Sequence, residues 1–213
     1  TKSLSLSQTK LFHNNISSSS SDFIKIRSNR IPSKVVKEPI ENVVITSKNG
    51  VEALLDNFSK DELNFKNIFC VGRRTKKLIE QKIGSVSYSE NNAQKLAEYL
   101  STKLKGQVVT YFCSDIRLDT LPIILSENGV TVNEVEAYKT MFSPIDIKED
   151  VKGVLFYSPS TVKSYLQKNT SDKVAFCIGE STAKEARKHF NNVEVAKVPT
   201  VESLIELVNL HYV

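Results

Sequence analysis

The sequence predicts an α/β fold with parallel sheets, arranged as two similar halves within 213 residues. Three observations carry this. From about Glu41 onward, short apolar runs alternate with segments of helical spacing. The runs are apolar at consecutive positions, as strands covered by helices on both faces require. One strand–turn–helix unit is also written twice, as "FCVGRRTKKL" from Phe69 and as "FCIGESTAKEA" from Phe176.

The elements follow in order. Ser17–Ser21 is a polar run that reads as a loop or a weak edge strand, and Phe23–Ile26 alternates like a strand. Further strands are expected at Val43–Thr46, Ile68–Val71, Val108–Cys113, Val154–Tyr157 and Val174–Ile178. Leu96, Leu100 and Leu104 mark a helix face. Ser59 to Glu62 has capping-box spacing, Ser158-Pro159 reads as an N-cap with proline at the first helical position, and Pro199-Thr200 opens the last helix. A helix is expected from Arg117 to Asn128, closed by Gly129 in the left-handed conformation. Glu136–Thr140 is extended and precedes a polar stretch around Pro144; with Phe23–Ile26 it forms a candidate pair of connectors.

Composition narrows the function classes. Lys and Arg number 29 against 24 Asp and Glu, a net charge of +5 that favours an anionic partner. The lysines are scattered and no aromatic residues interleave with them, so nucleic-acid binding is not indicated. No apolar run reaches the roughly 20 residues needed to span a bilayer, and no secretory signal is evident, so a soluble chain without a membrane partner is expected. Cys70, Cys113 and Cys177 sit in apolar runs without metal-ligand spacing, which suits buried free thiols in a reducing cytoplasm. His13, His189 and His211 lie far apart, as helix-face residues rather than a metal or catalytic cluster.

The repeat extends beyond the quoted turn. "NVVITSKNGVEALL" with "IFCVGRRTKKLIE" parallels "GVLFYSPSTVKSYL" with "AFCIGESTAKEAR". In each, a strand ends in serine (Ser47, Ser158), and the next ends in Gly-x-x-Thr (Gly72 to Thr75, Gly179 to Thr182). In open parallel sheets ligands sit beyond the carboxyl ends of the strands, where helix N-termini expose unpaired N–H groups. Ser47, Gly72–Thr75, Ser158–Ser160 and Gly179–Thr182 are therefore four candidate anion cradles, two per half. The competing account is ordinary N-capping of ordinary helices. Neither GxGxxG nor GxxxxGK[ST] is present.

These residues resemble the uroporphyrinogen-III synthase family. "VVITSKNGVEAL", "CVGRRTKKLIEQKIG", "NAQKLAEYL", "CSDIRLDTLPIILSENGVTVNEVEAYKT", "LFYSPSTVKSYL" and "CIGESTAKEA" match its blocks in order, from Val43 to Arg187. The resemblance implies two flavodoxin-like or Rossmann-like domains with the ligand cleft between them. Residues 25–138 would form a continuous domain and 1–22 with 143–213 a discontinuous one, joined by extended linkers near 22–25 and 138–143. That second domain would lack its first strand in this numbering. The implied reaction closes linear hydroxymethylbilane into uroporphyrinogen III, with inversion of the last pyrrole ring and loss of water. It implies no metal and no organic cofactor, a monomer, and porphobilinogen deaminase as a transient hand-over partner.

By the same resemblance Tyr138, in "EAYKT", is the candidate donor to the leaving hydroxyl. Thr75 and Thr182 are assigned to substrate carboxylates, as are Gly72, Gly179, Ser47, Ser114, Ser158 and Ser160. Arg117 is a candidate partner for an acetate, with a solvated helix face as the alternative, and Arg73 and Arg74 lie inside the first cradle. One departure stands out: Lys76 follows Thr75 where the family has a small residue, whereas Ala183 follows Thr182. A rival class fits the cradles equally well, a non-catalytic two-lobed binding protein for an anionic metabolite.

Overall fold

The computed structural model describes residues 1–147 and 150–212. The chain divides into two compact units, Ile26–Thr140 and Thr1–Lys25 with Met141–Val213.

The first unit is built on a six-stranded sheet. Its strands are β1 (Ile24–Ser28), β2 (Ile40–Ile45), β3 (Phe65–Val71), β4 (Tyr88–Glu90), β5 (Val108–Ser114) and β6 (Thr131–Phe142), in the order β1-β6-β5-β2-β3-β4. The ends of β1 and β6 run on into the other unit. The pairs β2–β3, β2–β5, β3–β4 and β5–β6 are parallel. From β2 the chain winds one way through β3 to β4, then returns to the other side of β2 as β5 and β6. The order therefore reverses between β2 and β5, the kind of point where open α/β sheets hold ligands.

Asn42 to Ile45 of β2 are buried, consistent with helices on both faces. Helices α2 (Lys48–Asn57) and α3 (Arg73–Lys82) close one face over Val43, Ile45, Val51, Leu54, Ile79 and Phe112. Helices α4 (Ala93–Lys103) and α5 (Thr120–Glu127) close the other over Val44, Phe69, Leu96, Leu100, Leu121 and Leu125.

The second unit repeats the order in shorter form. Strands β7 (Gly153–Phe156), β8 (Val174–Cys177) and β9 (Val193–Val195) are parallel in that order. Helices α6 (Pro159–Tyr165) and α7 (Glu180–Ala186) pack on one face around Phe156, Tyr165 and Phe190. Helix α8 (Val201–His211) packs on the other face around Phe176, Leu204 and Val208, joined by Phe12 and Ile16. The one-turn helix α1 (Leu6–Thr9) precedes them. The succession β2-α2-β3-α3-β4-α4 thus has its counterpart in β7-α6-β8-α7-β9-α8.

Several expectations change. The helix expected from Arg117 begins at Thr120, because a turn on Ser114 occupies the preceding residues: Ile116 N–H donates to Ser114 Oγ and Arg117 N–H to Ser114 O. Gly129 follows this helix with φ +75°. Ser59–Glu62 forms its capping box on a single 3-10 turn, Lys60–Glu62, rather than opening a longer helix. Glu136–Thr140 is the later part of the continuous strand β6, and β1 lies beside it. Strands β4 and β9, three residues each with half-buried side chains, carry no apolar run and add to the strands expected from the sequence.

Candidate functional site

In the first unit Ser47, Ser114 and Tyr138 lie near the point where the sheet order reverses, whereas Gly72 and Thr75 follow β3. Ser47 follows β2 and caps α2, its Oγ accepting from Gly50 N–H at 3.1 Å. Gly50 is needed for close approach: a Cβ there would lie 3.1 Å from Ile45 Cγ2 and 3.5 Å from Phe112 O. Ser47 Oγ also lies 2.7 Å from Tyr138 Oη. The proposed donor and one of the cradle serines therefore touch.

Tyr138 reaches Ser47 because β6 is irregular. Cys113 pairs with Glu136, but Ser114 pairs with Tyr138, so Ala137 is an extra residue at a bulge. Ala137 and Tyr138 both face the α2–α3 layer as a result. Asp115 fastens this bend. Its N–H donates to Tyr138 O at 3.2 Å, and its Oδ1 accepts from Ser114 Oγ at 2.8 Å and Thr140 N–H at 3.0 Å. Tyr138 is only 7% exposed, and burial raises its hydroxyl above the ordinary value, opposed by the hydrogen bond from Ser47. The phenol is therefore protonated at neutral pH. Next to it, Thr46 Oγ1 lies 3.0 Å from Tyr111 Oη, and burial pushes the Tyr111 hydroxyl up to about 12.

The four helix N-termini fall into two kinds. Ser47 and Ser158 cap their own helices; Ser158 Oγ accepts from Thr161 N–H at 3.3 Å while Thr161 Oγ1 accepts from Ser158 N–H at 3.2 Å. Ser160, half-buried, stands in the first turn of α6. At α3 and α7 the N-cap is glycine, Gly72 or Gly179, and no side chain caps the helix. Thr75 and Thr182 occupy the same place, third residue of their helices, and both are buried. The paired glycines and threonines of the repeat thus correspond in local structure, and their helix ends keep backbone donors open to an anion.

The two glycine caps are not identical. Gly72 has φ +83°, a value L side chains rarely adopt, whereas Gly179 is fully extended at φ −178°. Arg73 and Arg74 beside Gly72 are exposed.

Arg117 is already paired. Its guanidinium forms an ion pair with Glu134 and lies 3.7 Å from Asp119 Oδ1, with Nε buried and without a partner. Residues missed in the sequence are Asp115, Thr46, Tyr111 and Gly50; "TS" at 46–47 and "SD" at 114–115, each at a strand end, were the available signals. Among the described residues no three His, Cys, Asp or Glu side chains converge as metal ligands would, and no helix is long and apolar enough to cross a membrane. The three cysteines are free and buried.

Comparison with known proteins gives the family and the fold. The family model described as uroporphyrinogen-III synthase HemD matches residues 11–206. The porphyrin biosynthesis protein HemD of Ruminiclostridium josui is 24% identical over 185 residues, which is 77% of this chain and 36% of that protein. The chain thus spans about a third of the length of this curated relative. Among solved structures, the uroporphyrinogen-III synthetase of Helicobacter pylori superposes with TM-score 0.66 at 18% identity, over 87% of this chain and 89% of that one. A mutant uroporphyrinogen III synthase of Thermus thermophilus gives TM-score 0.61 at 14% identity, over 87% and 86%. At these identities the structural likeness speaks to the fold.

Proposed function

The chain belongs to the uroporphyrinogen-III synthase family, and from that premise we propose that it closes hydroxymethylbilane into uroporphyrinogen III, inverting ring D and losing water. The observation that carries the proposal is the partly buried Tyr138–Ser47 hydroxyl pair at the carboxyl end of β2, within the matched span.

The mechanism follows from what these residues can do. The substrate carries an acetate and a propionate on each ring, and backbone donors at α2, α3, α6 and α7 hold several of these carboxylates. Gly72, Thr75, Gly179 and Thr182 form the two cradles without a side-chain cap; Ser47, Ser114, Ser158 and Ser160 add hydroxyls. Arg117 joins only by exchanging Glu134 for a substrate acetate. Tyr138 turns from Ser47 to the terminal hydroxymethyl group and gives its proton to the hydroxyl as the C–O bond breaks. Water leaves, and the pyrrole nitrogen supplies the electron pair that forms the azafulvene. Ser47 Oγ–H then donates to the phenolate.

The azafulvene carbon bonds to the substituted α-carbon of ring D, giving a spiro intermediate. The older bridge bond to that carbon then breaks, and the released bridge carbon, now an azafulvene on the neighbouring ring, bonds to the free α-carbon of ring D. The carboxylate contacts set the orientation. The carbon proton lost when the last ring regains aromaticity returns to Tyr138, so the hydroxyl is restored.

The residue ranges 25–138 and 1–22 with 143–213 are the proposed domains, linked near 22–25 and 138–143, with the substrate in a cleft between them. A monomer in the cytoplasm, receiving hydroxymethylbilane from porphobilinogen deaminase, completes the proposal. It is tested by generating hydroxymethylbilane in situ with that deaminase, oxidising the products and separating the isomers. Type III product in proportion to the protein is expected; type I alone at every protein level would overturn the activity and leave an anion-binding protein.

A further inference from the structure

A pocket of about 260 Å³ in the first unit is lined by Arg27, Ser28, Asn29, Arg30 and Lys139. It lies where β1 runs out beside β6, and Lys139 is the residue after Tyr138. Its polar walls are held in place. Asn29 N–H donates to Ala137 O, Asn29 Nδ2 donates to Glu136 O and Oε1 at 2.9 Å each, and Ser28 Oγ donates to Asp56 Oδ2. The cations are not similarly committed. Lys139 Nζ stands 3.7 Å from Glu136 Oε1, and neither the Arg27 nor the Arg30 guanidinium has a carboxylate or hydrogen-bond partner among the described residues. The contrast is with Arg117 and Arg187, whose guanidiniums are paired to Glu134 and Glu180.

Three cationic side chains line this pocket, against the carboxylates of Glu136 and Asp56 at its walls, which leaves a positive surplus that favours an anion. Guanidinium forks match a carboxylate's two oxygens, and such bonds are about twice as strong as neutral ones. We propose that Arg27, Arg30 and Lys139 form a carboxylate-binding site, distinct from the helix N-termini because its donors are side chains. Its nearness in sequence to Tyr138 makes a substrate acetate or propionate the first source of that carboxylate, a step that rests on the proposed function. A free polycarboxylate is the second source.

The test uses the full chain as wild type, R27Q/R30Q, and a charge-matched control, K10Q/K168Q, at exposed sites in the other unit. Uroporphyrin I, with eight carboxylates, and citrate are titrated against each, and turnover is followed with deaminase-generated hydroxymethylbilane. R27Q/R30Q is expected to weaken uroporphyrin binding about tenfold and raise KM by a similar factor with kcat kept, while the control shifts either by less than about twofold. Weakened citrate binding with unchanged KM and uroporphyrin affinity assigns the site to a free polycarboxylate. Equal losses in both variants, or none in R27Q/R30Q, would overturn it. Should the wild type form no type III product, the activity falls, and the citrate and uroporphyrin titrations still decide the pocket.

Discussion

Replacing Tyr138 by Phe separates the chemical account of this residue from a structural one. The ring remains packed against the α2–α3 layer, so the change removes only the hydroxyl and its 2.7 Å bond to Ser47. Ser47 keeps its bond from Gly50 N–H, so no buried group is stranded. The stability cost is then that of one neutral hydrogen bond, about 0.5–1.5 kcal/mol. Ser47→Ala loses the same bond and the cap of α2 as well, about 1 kcal/mol more. The double variant is expected to fall short of additivity by the worth of the shared bond. Urea unfolding of the four proteins measures this cycle. Turnover separates the roles: a lost general acid costs about 10²–10⁴-fold, far beyond what a packing loss of about 1 kcal/mol produces. Because burial raises the Tyr138 hydroxyl above its ordinary value of 10, the wild-type rate should show no loss from this group below that pH. Full turnover by Tyr138→Phe, with the isomer ratio unchanged, would refute the donor role.

Further outcomes are expected at other positions. Gly153→Ala places a Cβ 2.6 Å from Phe176 Cε2 and 2.8 Å from Tyr212 Oη, and should lower the urea midpoint by an overpacking cost of about 1–3 kcal/mol. Gly72→Ala should cost about 1–3 kcal/mol for its φ of +83°, whereas Gly179→Ala, extended and open, should stay within about 0.5 kcal/mol; equal costs would contradict the assigned difference in backbone. Ser164→Ala removes the hydroxyl that donates to Phe23 O in a fully buried site, with an expected loss of about 1–3 kcal/mol. Burial pushes the Cys70 and Cys113 thiols up to about 11 and Cys177 up to about 12, from 9.0. Between pH 9 and those values the folded chain holds protons that the unfolded chain has released, so stability falls as pH rises above about 9. Under reducing conditions, an unfolding free energy that does not change between about pH 8 and pH 10.5 would contradict it.

What the sequence disclosed depended on how local the cause was. Ser158-Pro159 and Thr200 announce their helices because a cap is decided within four residues, and both caps stand where expected. The strands with long apolar runs were legible for the same reason. Strands β4 and β9 were not, since three half-buried residues leave no pattern. The late start of α5 was also hidden, because Asp115 and Arg117, in the turn after β5, are tied to Tyr138, Thr140 and Glu134 of a strand that comes later in the chain. At the site, the types of residue could be read but their partnership could not. Ser47 and Tyr138 are 91 positions apart, and only the sheet order brings β2 and β6 to opposite sides of β5 with Tyr138 leaning across.

The bulge at Ala137 acts as a parity correction within β6. Val135 and Tyr138 are separated by an odd number of positions, and in a regular strand such residues face opposite sides. Both nevertheless pack with the α2–α3 layer, because Ala137 takes up the odd step. Were the pleat to run evenly through the same residues, the tyrosine ring would turn to the layer of Tyr111 and Leu121, and its hydroxyl would be lost to Ser47. Deleting Ala137 would instead straighten the ladder and leave the ring on its present side, opposite Ser114. Counting along the strand, rather than the choice of tyrosine alone, therefore sets which side of the sheet the hydroxyl faces.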